Sequence, residues 1–200
     1  RQYATSRDGI NWVKPALDVV PGTNIVQAQA RDSGLVWLDQ AAADPAWRHL
    51  MLRVARDPRN NYWSKFVHFS RDGIHWSEPA GESGGLKWLG DRSSLFFNPF
   101  RDVWVFSLRN SIRNDPALLG IRARHYLEQR DVAAGLADWQ RRPWVGADRL
   151  DPRHPKFPDF EPQLYNLDAV AYESVMLGLF SVLQGPENEE SARLKIHKRN

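Results

Sequence analysis

The chain has 200 residues, 42% of them hydrophobic and 26% charged, with a net charge of +3, a pI near 9.3 and no cysteine. Such a composition suits one folded domain or a piece of a larger one, and excludes disulfides, thiolate metal sites and a cysteine nucleophile. Lys and Arg are scattered among Asp and Glu, so no nucleic-acid stripe is expected, and no apolar run approaches the ~20 residues that span a bilayer.

Residues 6–15 read SRDGINWVKP and residues 70–79 read SRDGIHWSEP, the same text at an offset of 64. Each copy predicts a tight turn between two strands. The Asp accepts hydrogen bonds from turn amides, the Gly supplies a left-handed conformation, and the Trp packs inward. The first copy is read as the outer end of an incomplete unit over residues 1–20. A complete unit follows over residues 32–79. It has strands in DSGLVWLD (32–39), HLMLRVA (49–55) and YWSKFVHFS (62–70), then the turn with Asp72 and Trp76. The next unit, residues 91–143, repeats the order with DRSSLFFN (91–98), VWVFSLR (103–109), RARHYLEQ (122–129), then Asp131 and Trp139. Asp32 and Asp91 are 59 positions apart, as are Asp72 and Asp131. A third, partial unit over residues 165–200 contains AVAY and VMLGLFSV (175–182). Residues 81–90, 144–162 and 185–192 are polar and rich in Gly or Pro, and read as loops; no long helical periodicity is present.

Four antiparallel strands in about 60 residues, begun by an Asp and closed by an Asp turn, describe a β-propeller blade. The fold expected is therefore all-β, a propeller of the five-bladed type of which this chain holds only part. In a propeller the first strand of each blade lines the channel. Asp32, Asp91 and, from the third unit, Asp168 and Glu173 are then candidates for catalysis at one channel mouth. Paired carboxylates serve glycoside hydrolysis, one as acid and one as nucleophile or base, and their mutual repulsion separates their pKa values. Glu173, expected on a strand among Val170, Tyr172 and Val175, is the choice for the acid. Asp91 or Asp32 is the base or nucleophile, kept ionised by Arg92 or Arg31. Arg92, His154 and the loop tryptophans Trp63, Trp88 and Trp144 are candidates for sugar binding, because sugar C–H faces pack on aromatics. Trp12, Trp76 and Trp139 are expected in the core, and Trp37 and Trp104 between blades. Asp8, Asp72 and Asp131 are expected to be structural. No His spacing suggests a metal, and no cofactor is expected.

Three features together carry a resemblance: Asp32 before LVWLD, the Asn98-Pro99-Phe100-Arg101 strand turn after Asp91, and Ala171-Tyr172-Glu173. The chain resembles the five-bladed propeller glycosidases of families 32 and 43, and more closely a bacterial group of family-32-like N-terminal-domain proteins. The resemblance implies glycosidase activity on a carbohydrate substrate; a periplasmic or extracellular location is expected for such a protein. The chain also departs from the pattern. It lacks an Asn-Asp-Pro-Asn-Gly stretch and a Glu-Cys pair, Asp91 stands in Gly-Asp-Arg rather than Arg-Asp-Pro, and the repeated turn is one residue short of the sialidase Asp box. A non-catalytic propeller that binds carbohydrate or protein is the alternative, and a repeat scaffold a third reading.

Overall fold

The computed structural model describes residues 1–82, 90–111, 121–134, 141–186 and 188–196. Within them the chain is all-β. Strands β1 (Ser33–Leu38), β2 (His49–Arg56), β3 (Trp63–Ser70) and β4 (Ala80–Glu82) form one antiparallel meander. A second comprises β5 (Ser94–Asn98), β6 (Val103–Ser111), β7 (Arg122–Gln129) and β8 (Arg142–Gly146). A third sheet has two strands, β9 (Gln163–Tyr172) and β10 (Val175–Leu183). The two four-stranded sheets run from Ser33 to Glu82 and from Ser94 to Gly146, and their last strands extend into residues 81–82 and 144–146, which were expected as loop.

Register decides which side chains meet. Leu35 opposes Leu52 and Trp37 opposes Leu50, while Leu52 opposes Val67 and Leu50 opposes Phe69. This apolar row of the first sheet packs on Leu95, Trp104, Phe106, Leu108 and Leu127 of the second. Period-two alternation then sends Phe96, Val103 and Val105 to the opposite face, where they meet Ala169 and Ala171 of β9. Trp37 and Trp104 meet edge to face between the sheets, with ring centroids 6.2 Å apart. The first strands β1, β5 and β9 are neighbours, so the start of each sheet lies on one side of the stack.

Both repeated turns are built alike. The Asp8 carboxylate accepts from the backbone N–H groups of Ile10 and Asn11 at 2.9 and 2.8 Å, and Asp72 accepts from Ile74 and His75 at 2.8 Å each. Gly9 and Gly73 have φ of 74° and 76°, where a side chain would be strained. Each Trp indole donates to the Gly carbonyl at 3.1 Å. The surroundings differ. Trp76 is half-buried, but Trp12 is 61% exposed, which corrects its expected place in the core: residues 1–27 make three isolated bridges and no sheet to cover it.

Three other expectations are corrected. Glu173 is not on a strand; it occupies the β9–β10 hairpin turn, exposed, with φ of 52°. Trp144 lies in β8 rather than in a loop, while Trp63 opens β3, the strand expected over residues 62–70. Part of the loop expected over residues 185–192 instead forms a short helix α1 (Asn188–Arg193), with Glu189 and Glu190 in its first turn and Arg193 in its last. That charge order complements the helix dipole, and Glu190 and Arg193 pair across one turn. Trp88 and Trp139 lie outside the described residues.

Candidate active site

The site assembles where the first two sheets begin. Gly90, before β5, receives the end of β6 through its N–H to Arg109 C=O, 2.9 Å. A Cβ at Gly90 would lie 2.0 Å from Arg109 Nε, so only glycine leaves room for that guanidinium. Arg109 Nε pairs with Asp91 Oδ1 at 2.6 Å. The other carboxylate oxygen, Oδ2, accepts from Tyr165 O–H at 3.1 Å. Tyr165 reaches Asp91 from β9 because it is the extra residue of a bulge: Asn166 opposes Ser181 and Leu164 opposes Val182, with no partner between. Bulges of this kind re-aim a side chain.

Asp32 precedes β1 and is tied by its N–H to Val54 C=O, 2.8 Å. Burial first, and the Asp91 charge second, push its pKa up; Arg92, Arg109 and a hydrogen bond from Ser33 act in the opposite sense. Asp32 and Asp91 therefore share one electrostatic neighbourhood. The backbone links them too, since Arg92 N–H donates to Ser33 Oγ at 2.9 Å.

Arg124 of β7 opposes Arg109 in the register and is fully buried. Burial, the dominant cause, with Arg109 lowers its pKa to about 10, against the attraction of Asp168 and Asp91. Its guanidinium donates to Arg92 C=O. Asp168 thus joins the group through Arg124. It is exposed on β9, accepts from Asn166 Nδ2 at 3.1 Å, and lines a cleft of about 550 Å³ with Trp37, Ser94 and Leu177–Leu179. Lys65 is buried on the same face of β3 as Val67, and burial, then Arg124, Arg141 and Arg109, hold its pKa well below the ordinary lysine value. Among the described residues no three His, Asp or Glu side chains gather as a metal site.

Of the four expected carboxylates, the structure brings Asp32 and Asp91 together, sets Asp168 across Arg124, and leaves Glu173 apart. From Tyr165 to Glu173 the strand runs eight residues, about 26 Å at the usual rise. Arg92 contributes its backbone, held at φ of 53°. Trp63 lies under the Arg56 guanidinium, 4.7 Å from the ring centroid, and packs on the first core. Trp144 meets Tyr126 edge to face at 5.2 Å, and the His154 ring stacks on Phe157 at 5.0 Å while its Nδ1 accepts from Lys156 N–H. These aromatic faces are engaged within the protein. Tyr165, Arg109 and Arg124 were not singled out from the sequence. Charged residues at inward positions of apolar strands were the available sign, because two arginines opposed in one register require carboxylates nearby.

No protein family, curated protein or solved structure matches this chain.

Proposed function

We propose that this chain forms an arc of a five-bladed β-propeller and acts as a glycoside hydrolase outside the cytoplasm, with Asp32 and Asp91 as its reacting carboxylates. The observation that supports the reading is the unequal environment of the two acids. Asp32 is pushed toward its protonated form, as a general acid requires, whereas Asp91 is held in place by the Arg109 guanidinium and the Tyr165 hydroxyl, as a carboxylate that must be oriented toward a substrate requires. Asp168, in the adjoining cleft, serves substrate hydroxyls. Glu173 takes no part in this arrangement.

The same ties favour the second reading in one respect: both Asp91 oxygens are already engaged, as in a structural strand start. Screening against aryl glycosides, with glycan binding measured in parallel, separates the two. Hydrolysis that falls about 10²-fold or more in both Asp32→Asn and Asp91→Asn, with unchanged circular dichroism, supports the enzyme. Glycan binding without turnover supports the binding module, and the absence of both hydrolysis and binding would remove the carbohydrate reading. Within the enzyme reading, Asp32→Asn slows substrates with poor leaving groups far more than activated aryl glycosides, since only the former need a proton.

A further inference from the structure

The arginines around the site outnumber its carboxylates. Arg31 precedes Asp32 and Arg92 follows Asp91, and the Arg92 N–H bond to Ser33 Oγ, 2.9 Å, holds the two segments side by side. Both arginines are exposed. Among the described residues neither guanidinium has a hydrogen bond or an ion pair, whereas Arg109 is paired with Asp91. Arg92 and Arg109 act on the charge of Asp32, and Arg109 and Arg124 act on buried Lys65 as like charges. Four guanidinium groups, of Arg31, Arg92, Arg109 and Arg124, thus stand with three carboxylates, of Asp32, Asp91 and Asp168. Burial disfavours the charged form of Asp32, so the positive excess grows while Asp32 holds its proton.

The backbone of Arg92 points the same way. Its φ of 53° lies in the left-handed region, which favours glycine and strains an arginine. Two ties hold it there: Ser33 Oγ accepts from its N–H, and the buried Arg124 guanidinium donates to its C=O. A strained residue clamped by β1 on one side and β7 on the other is the kind of position that persists where a side chain has a task. Behind it, Arg124 Nε and Nη1 are buried and without a hydrogen-bond partner among the described residues, so the positive charge there is incompletely matched.

We propose, on the glycoside reading above, that the sugar bound at this site carries an anionic group, a carboxylate or a sulfate, received by the guanidinium groups of Arg31 and Arg92. The hydroxyls of a neutral sugar give a free guanidinium no charge to neutralise. A carboxylate or sulfate does, and it accepts two parallel N–H bonds from one guanidinium fork. The same two arginines offset the repulsion that Asp91 and Asp168 exert on an anionic sugar as it approaches.

Titration calorimetry of the chain with an oligogalacturonate, a dextran sulfate fragment and a neutral dextran fragment of equal length tests this, beside hydrolysis of 4-nitrophenyl glucuronide and 4-nitrophenyl glucoside. An anionic ligand is expected to bind about tenfold tighter than dextran or more, and the better of the two identifies carboxylate or sulfate. Arg92→Gly removes the guanidinium and relieves the backbone, so the variant unfolds no earlier on heating, yet it should lose about tenfold in affinity for that ligand. Arg31→Gln should lose as much. Arg7→Gln and Lys14→Gln each remove one exposed cation from the N-terminal segment and leave binding unchanged. Equal losses in these controls, the mark of attraction by net charge alone, overturn the proposal. So does anionic binding that survives Arg31→Gln and Arg92→Gly combined. Binding or hydrolysis of neutral glycans with no preference for anionic ones overturns it and leaves the glycoside reading standing, whereas no binding or hydrolysis of any of them removes both.

Discussion

At the scale of single residues, the candidate site depends on a glycine that brings no functional group to it. Gly90 gives Arg109 the space to reach Asp91, and the methyl group of Gly90→Ala would occupy the place of the guanidinium. Arg109 is flexible enough to move, so the cost is the ion pair rather than the backbone. Gly90→Ala should destabilise the fold by about 1–2 kcal/mol. Asp91→Asn in the Gly90→Ala background should then cost less than it does in the native chain, which a double-mutant cycle by urea unfolding measures. Glu173 makes the opposite case. Its φ of 52° lies in the region that disfavours side chains, and among the described residues no hydrogen bond or ion pair involving its side chain is seen. Glu173→Gly should stabilise the hairpin by about 0.5–1 kcal/mol and leave any hydrolysis of aryl glycosides unchanged. A loss of activity in that variant would return Glu173 to the site.

At the scale of elements, the strands were legible and the residues that tie them together were not. The two meanders could be read because alternation and repetition agree: Leu35 and Trp37 on β1, Leu95 and Phe97 on β5, and a turn of fixed text after β3. The backbone bonds of the Asp turn were legible, since in Ser-Arg-Asp-Gly the carboxylate faces the amides that follow it. Asp72→Ala, which loses two of these bonds and the contact with Ser70, should cost about 1–2 kcal/mol. Asp8→Ala, in the exposed first copy, should cost less, and thermal unfolding of the two variants side by side checks the order. Tyr165 was hidden for a physical reason. It points at Asp91 only because β9 is bulged there, and a bulge shifts the register without changing the alternating text. Glu173 was misplaced because Tyr-Glu-Ser-Val carries no Gly or Pro to announce a turn. Trp63 and Trp144 were read as sugar platforms from neighbouring loop residues, whereas their rings lie on Arg56 and Tyr126.

At the scale of the whole molecule, one of the contacts that join the N-terminal residues to the first sheet is a proton-dependent bridge. His75 Nε2 meets Asp18 at 3.0 and 3.1 Å, while its Nδ1 meets Asp72 at 2.7 Å. Other ties are the Arg53 bond to Ala30 C=O, 2.9 Å, and the Asp32 bond to Val54 C=O. The Asp72 bond first, then the Asp18 bond, raise the His75 pKa above its ordinary 6.5, and Asp18 is lowered chiefly by the same bond. A raised histidine pKa means the folded form holds the proton more tightly than the unfolded one. The bridge therefore contributes fully below pH 6.5 and is lost as pH rises through the higher folded value. At the acid end the sign reverses: the depressed Asp18 keeps its contribution above its ordinary 3.8 and loses it as pH falls through the lower folded value. Between these limits the bridge is intact, and because it is exposed, salt weakens it. Hydrogen exchange of residues 1–30, corrected for intrinsic rate, should thus be slower near pH 5.5 than near pH 8.5. His75→Asn supplies the control. The first turn already carries Asn11 at this position, whose Nδ2 donates to Asp8 at 2.7 Å, so the substitution keeps the turn and removes only the charged link to Asp18. In that variant the pH dependence should vanish while the Asp72 turn stays protected; a pH dependence that persists would place the sensitive group elsewhere.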